Sequence, residues 1–276
     1  EYGTLSFFLT FTILANQVCF VGITSASGRF YIKSLNENYI EKFYSSLLVV
    51  FLVNCLVAIF LGILLSFLFS IELIISIKMI LIVLFEASYQ IFNSISNAKD
   101  KRKLVLFHVS FYYLLRTLIL ILIIYFFNTQ NFNFESAIDA FLISVLLTFT
   151  IQYLPKFRLI FSIIKIDFRK YYKNIFKYIF PFYVFGFITF LNQGIDKWII
   201  KFFLDDSYVG IYTLFFQFGF SPIVLIATSF TTYLAPIYYT LHENNDGNKI
   251  NSLKRNFLII ILIGTIIVVF LSYIFG

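Results

Sequence analysis

Eight apolar runs fill most of this chain: Leu5–Ile23, Leu47–Phe69, Leu73–Phe92, Leu104–Phe127, Ala137–Leu154, Tyr178–Leu204, Ile211–Tyr233 and Phe257–Phe275. A helix crossing ~30 Å of hydrocarbon needs about 20 such residues, so each run is long enough to span a bilayer. The runs are continuous and do not alternate with period two, which excludes the strands of a membrane barrel, and what lies between them is too short for a sizeable soluble domain. The fifth is the least apolar, diluted by Asp139, Thr148, Thr150 and Gln152. With 60% hydrophobic and 13% charged residues the chain cannot cover a water-facing surface, and the expected class is an all-α polytopic membrane protein.

The connections differ in charge. Residues 24–46, 93–103, 155–177 and 234–256 hold 17 of the 21 Lys and Arg, whereas 70–72, 128–136 and 205–210 hold none, which predicts that the first set is cytoplasmic. The net charge of +7 follows from those loops and gives no reason to expect a nucleic-acid partner. Stretch 155–177 places Lys165, Arg169, Lys173 and Lys177 four apart beside apolar residues, the pattern of an interfacial helix on anionic membrane lipid. Cys19 and Cys55 sit inside apolar runs and read as packing residues. No metal-ligand spacing, glycine-rich phosphate loop or paired acidic motif occurs in the loops, so neither a metal nor an organic cofactor is expected.

Shifted by 207 residues, the chain matches itself. Gly3 meets Gly210, Phe8 meets Phe215, Phe11 meets Phe218, Thr24 meets Thr231, Tyr31 meets Tyr238 and Asn38 meets Asn245, with Leu47–Phe69 falling on Phe257–Phe275 in the same orientation. A parallel repeat with a six-span unit follows, in which residues 1–154 supply five spans of one lobe, 155–177 a basic linker and 178–276 three spans of the second. The chain opens on Glu1 without a Met, and the expectation is an excerpt of a twelve-span protein, from the second helix to the ninth.

The stretch Tyr178–Asn244 carries a lobe-opening Tyr-Ile-Phe-Pro, then Gly194-Ile195-Asp196-Lys197-Trp198, then Val209-Gly210-Ile211-Tyr212, then Leu234-Ala235-Pro236-Ile237-Tyr238. With Glu1-Tyr2-Gly3 and Ser27-Gly28-Arg29-Phe30-Tyr31, it resembles the O-antigen and polysaccharide (Wzx-type) oligosaccharide-lipid flippases of the multidrug/oligosaccharidyl-lipid/polysaccharide exporter superfamily. The resemblance implies a fold like that of the drug-exporting (MATE) branch, with two six-helix lobes around a central cavity that opens alternately to each face. It further implies a bacterial inner membrane, a lipid-linked oligosaccharide as cargo, neighbouring polysaccharide-assembly membrane proteins, and coupling to H+ or Na+ without enzymatic chemistry. Two other readings stay open: a drug or cation antiporter of the same superfamily, and a membrane glycosyltransferase, polymerase or ligase acting on lipid-linked sugar.

Charges within the spans are costly, so each needs a partner, a water-filled cavity or a route to the interface. Lys201 can reach the outer surface beside Asp205. In the hairpin of the third and fourth spans, residues at equal depth have numbers summing to about 199 by the helical rise, which brings Lys78 near Arg116 and Glu86 near His108. Two level cations suit an anion between them, a pyrophosphate held by the fork of Arg116 and the point charge of Lys78. The alternative pairs Arg116 with Glu86 and sends Lys78 to the interface near Glu72. Arg29 at the cytoplasmic mouth could receive the same headgroup or mark the membrane boundary, and Asn192 and Gln193 suit sugar hydroxyls or helix–helix packing, as do Asn16 and Gln17. Asp196, Lys197, Glu86 and His108 are the ion-coupling candidates, Asp196 with Lys197 reading equally well as a structural ion pair.

Overall fold

The computed structural model describes residues 2–68, 71–127, 134–153, 169–219 and 247–275, and every regular element among them is helical. The first span is one long rod made of α1 (Tyr2–Ala15), a π-helical turn (Asn16–Phe20) and α2 (Val21–Asn36). Then follow α3 (Ile40–Leu68), α4 (Leu73–Ala98), α5 (Arg102–Phe127), α6 (Phe134–Tyr153), α7 (Arg169–Phe203), α8 (Asp206–Gly219) and α9 (Gly247–Phe275).

The helices overrun the apolar runs at their basic end. The first rod continues through residues expected to be loop and stops only at Asn36, because nothing in Thr24–Asn36 breaks a helix. Asn38 then takes a left-handed backbone (φ 55°), and the Tyr39 amide donates back to the Ser34 carbonyl at 3.0 Å. Asp100 does the same between α4 and α5, with φ 56° and the Lys101 amide on the Ser96 carbonyl at 3.0 Å. Both turns close the preceding helix in the Schellman manner, with Asn and Asp standing where glycine is commonest. Likewise residues 169–177, read from the sequence as part of an interfacial helix, form the opening turns of α7, with Lys173 and Lys177 exposed on them. Residues 155–168 of that linker lie outside the described residues, as do 220–246, which hold Pro222, Pro236 and most of the seventh run.

By contacts the chain divides into two compact units, Glu1–Val209 and Gly210–Gly276. In the first, α4 is the central helix, touching the first rod, α3, α5 and α6, while α7 lies along the first rod and α3. The core is continuous, built around fully buried Phe20, Ile23, Phe43, Met79, Val83 and Ile138. Outward faces are just as apolar: Leu56, Phe60 and Phe67 on α3 and Leu106, Leu114, Leu118 and Tyr125 on α5 are exposed. A water-soluble protein does not leave such area uncovered, whereas lipid requires it. Six helices among the described residues are long and apolar enough to cross a membrane: Tyr2–Asn36, Ile40–Leu68, Leu73–Ala98, Arg102–Ile123, Phe134–Tyr153 and Tyr172–Asn192. The chain is a multi-pass membrane protein.

Small residues set the approach of α7 to the first rod. A Cβ on Gly186 would stand 2.1 Å from the Gln17 carbonyl oxygen, and one on Gly22 2.8 Å from Ile179. Close backbone contact of this kind is how membrane helices gain packing energy where lipid supplies no hydrophobic drive. The seam continues as Phe30 against Tyr178 at one end and Phe7 against Trp198 at the other.

Candidate functional site

A buried polar group in hydrocarbon must find a partner inside the protein, so the polar contacts within the bundle mark where the sequence has departed from simple packing. The densest of them gathers on Glu86, in the middle of α4. Its carboxylate accepts from Asn16 Nδ2 at 2.8 Å and from the Tyr112 hydroxyl at 3.3 Å. Arg116, one turn beyond Tyr112 on α5, lies within electrostatic reach of the same carboxylate and hydrogen-bonds the Tyr112 hydroxyl. Phe141 of α6 covers the guanidinium face at 3.6 Å. Such stacking leaves the in-plane N–H groups of Arg116 free to point elsewhere. Asn16, Glu86 and Arg116 are each partly accessible, while Tyr112 is buried.

Lys78, about two turns before Glu86 on α4, is held by Asp139 of α6 at 2.7 Å. This gives Lys78 a carboxylate partner that the sequence reading did not name, because α6 packs against both α4 and α5. Contacts across the α4–α5 hairpin follow the depth rule: Phe92 stacks on His108 at 5.6 Å, Tyr89 lies tilted against Tyr112 at 5.3 Å, and Glu86 meets Tyr112. The Nδ1 of His108 faces Gln152 Nε2 at 2.7 Å. Tyr112, Asp139 and Gln152 were absent from the candidates. The signal for two of them was present in the sequence as the polar residues that made the fifth run look diluted.

At the end away from the basic turns, Lys201 pairs with Asp206, and Thr4 donates to the other oxygen of that carboxylate at 3.1 Å. The sequence pointed to Asp205, but α7 ends at Phe203, so the four-residue helical spacing no longer applies there. Lys197 is buried, with 8% exposure, whereas Asp196 and Asn192 face outward; the side chain of Gln193 lies outside the described residues. At the basic end Arg29 lies over the Tyr178 ring at 4.8 Å, and Lys99 over Tyr31 at 4.9 Å.

Asn54 of α3, 1% exposed, accepts from the Tyr183 hydroxyl of α7 at 2.6 Å, while its own Nδ2 has no partner. Tyr183→Phe should then strand the whole amide, at a cost of about 1–2 kcal/mol, and Asn54→Leu in the same background should recover most of it. Thermal unfolding of the three variants in detergent reads this directly; an undiminished midpoint for Tyr183→Phe would show that the bond contributes nothing.

Residues 1–242 match the family model described as "Polysaccharide biosynthesis protein". No curated protein and no solved structure matches the chain.

Proposed function

The chain belongs to the polysaccharide biosynthesis protein family, and from that premise we propose that it is part of a Wzx-type flippase. Its cargo in this reading is an undecaprenyl-pyrophosphate-linked oligosaccharide, carried from the cytoplasmic to the outer leaflet of a bacterial inner membrane. In this reading the chain contributes five spans to one six-helix lobe and three to a parallel second lobe, residues 155–177 link the two, and the lobes rock about a central cavity. No covalent step is needed: alternating access requires only a site whose exposure and affinity differ between two states.

The observation that carries this reading is the polar group of Asn16, Glu86, Tyr112 and Arg116 in the middle of an otherwise apolar bundle. An enzyme acting on lipid-linked sugar would want its acid and base at a water-facing loop. A carrier wants polar groups at mid-depth, and Arg116, with one face of its planar guanidinium covered by Phe141, suits a diphosphate. Arg29 would receive the headgroup at the cytoplasmic mouth and Asn192 with Gln193 would meet sugar hydroxyls. Lys78 joins them only by exchanging Asp139 for phosphate, and Asp196 and Lys197 remain candidates for ion coupling. With Lys78 paired to Asp139, Arg116 set against Glu86 and Asp196 turned outward, buried Lys197 is the charge left over among these residues, which favours an anionic cargo over the cationic drugs of the antiporter alternative.

Deleting the gene should leave lipid-linked repeat units on the cytoplasmic face of the membrane, inaccessible to a non-permeant sugar-oxidising reagent applied from outside. If the deletion instead abolishes the joining of pre-flipped repeat units supplied at the outer face, the carrier reading fails and the enzymatic one replaces it.

A further inference from the structure

Helix α7 begins on a stripe of cations and aromatic rings that the polar site does not use. Its inward side is fixed: Ile175 and Ile179 are 2% and 0% exposed, and the Tyr178 ring meets Phe30 and Arg29 of α2 at 5.5 and 4.8 Å, respectively. The opposite side is open. Lys173 and Lys177 lie one turn apart on it, and the stripe continues inward as Phe180 and Val184, both exposed. No Asp or Glu occurs from Phe168 to Ile195, and among the described residues no carboxylate pairs with either lysine. Pro181 stands inside the helix, also exposed, and carries no N–H, so the carbonyl of Lys177, four residues before it, has lost its helical donor. Where a chain passes into hydrocarbon, an unbonded carbonyl is costly unless a donor reaches it.

We infer that Lys173, Lys177 and the Lys177 carbonyl form a binding site for one anionic phospholipid whose headgroup carries hydroxyl groups, the chemistry of a phosphatidylglycerol. The phosphodiester sits between the two ammonium groups, a headgroup hydroxyl donates to the carbonyl that Pro181 leaves open, and an acyl chain lies along Phe180 and Val184. Each part rejects a different competitor. A zwitterionic headgroup brings its own cation to two lysines and is repelled. An anionic headgroup without a hydroxyl satisfies the lysines and leaves the carbonyl bare. Free phosphate gains nothing from the apolar half of the stripe. The Tyr-Ile-Phe-Pro sequence at Tyr178–Pro181 thereby acquires a reason for its proline, which does not end the helix, since α7 runs on from Arg169 to Phe203. The site depends on neither the cargo nor the carrier reading.

The test places the full chain in nanodiscs of phosphatidylcholine containing equal parts of phosphatidylglycerol and phosphatidylethanol, which has the same charge but no headgroup hydroxyl. Native mass spectrometry then reads which lipids stay on the protein. Phosphatidylglycerol should be retained about fivefold over phosphatidylethanol, the worth of one ordinary hydrogen bond. Pro181→Ala, or Pro181→Leu if the first inserts poorly, returns an N–H to the helix, so the ratio of the two anionic lipids should fall to about one while both are still retained over phosphatidylcholine. Lys173→Gln with Lys177→Gln should lower retention of both by about tenfold. The same loss of charge in Lys101→Gln with Lys103→Gln, at the α4–α5 turn, should leave the parent's ratio unchanged. Equal retention of the two anionic lipids by the parent would mean attraction by charge alone and overturns the site. A ratio that survives both Pro181 variants, or that collapses with the Lys101 and Lys103 pair, overturns it as well.

Discussion

Gly186→Ala should be the most destabilising single-atom-scale change in the chain. The added methyl would lie 2.1 Å from the Gln17 carbonyl oxygen, 2.7 Å from its carbon and 3.1 Å from Val18 Cα, all of them backbone. No side-chain rotation relieves a clash with backbone, so α7 and the first rod must separate, and the loss spreads along the seam. Gly22 would leave Ile179 and Phe182, Phe7 would leave Trp198, and Tyr183 would be drawn away from Asn54. Overpacking of this kind typically costs about 1–3 kcal/mol, and a rigid two-helix contact belongs at the upper end or beyond. Replacing a glycine inside a helix by alanine otherwise gains up to ~1 kcal/mol, so the control is Gly264→Ala in α9, where a Cβ would meet nothing within 4 Å. The two substitutions should move the unfolding midpoint in opposite directions in detergent. Equal midpoints for Gly186→Ala and the parent would show that α7 does not make this approach.

That contact was not legible in the sequence, and the reasons are physical. Apolar runs report which segments can lie in lipid, so the positions of α3, α4, α5 and α7 could be read to within a few turns. They do not report which helix touches which. Asn-Gln-Val-Cys-Phe has no composition that distinguishes a π turn from an α-helix, because the turn is held by Glu86 and Gly186, 70 and 170 residues away. The helix ends were misjudged for a related reason: hydropathy stops at the membrane surface, whereas the hydrogen-bond ladder of the first rod runs on until Asn38 turns left-handed. At the polar site the sequence marks Glu86, Arg116, Lys78 and His108 as residues to be placed. It missed who the partners are, since Asp139 and Gln152 come from α6, whose insertion beside α4 and α5 is a tertiary fact.

Arg116 provides the sharpest test of whether the polar group binds cargo or only balances charge. Arg116→Ala should reduce transport by about 10- to 100-fold at unchanged membrane level, which is the loss of one charge-assisted contact to phosphate at about 1.5–3 kcal/mol. Arg116→Lys keeps the charge but loses the planar fork and the flat stack on Phe141, so it should fall between the two. Neither result separates the alternatives, because Arg116→Ala also leaves Glu86 without the charge that now faces it, and Arg116→Lys changes the geometry of pairing and of binding together. The double change does. In Glu86→Gln with Arg116→Gln, no uncompensated charge remains at mid-depth, Asn16 and Tyr112 keep a polar side chain to bond, and folding should recover. If Arg116 serves only to neutralise Glu86, transport recovers with it. If Arg116 contacts the diphosphate, the double variant is well folded and inactive, since the cargo has lost its cation while the fold has lost nothing. A transporting double variant would remove Arg116 from the binding site and leave Lys78, freed from Asp139, or Lys197 as the cation that remains to meet the phosphate.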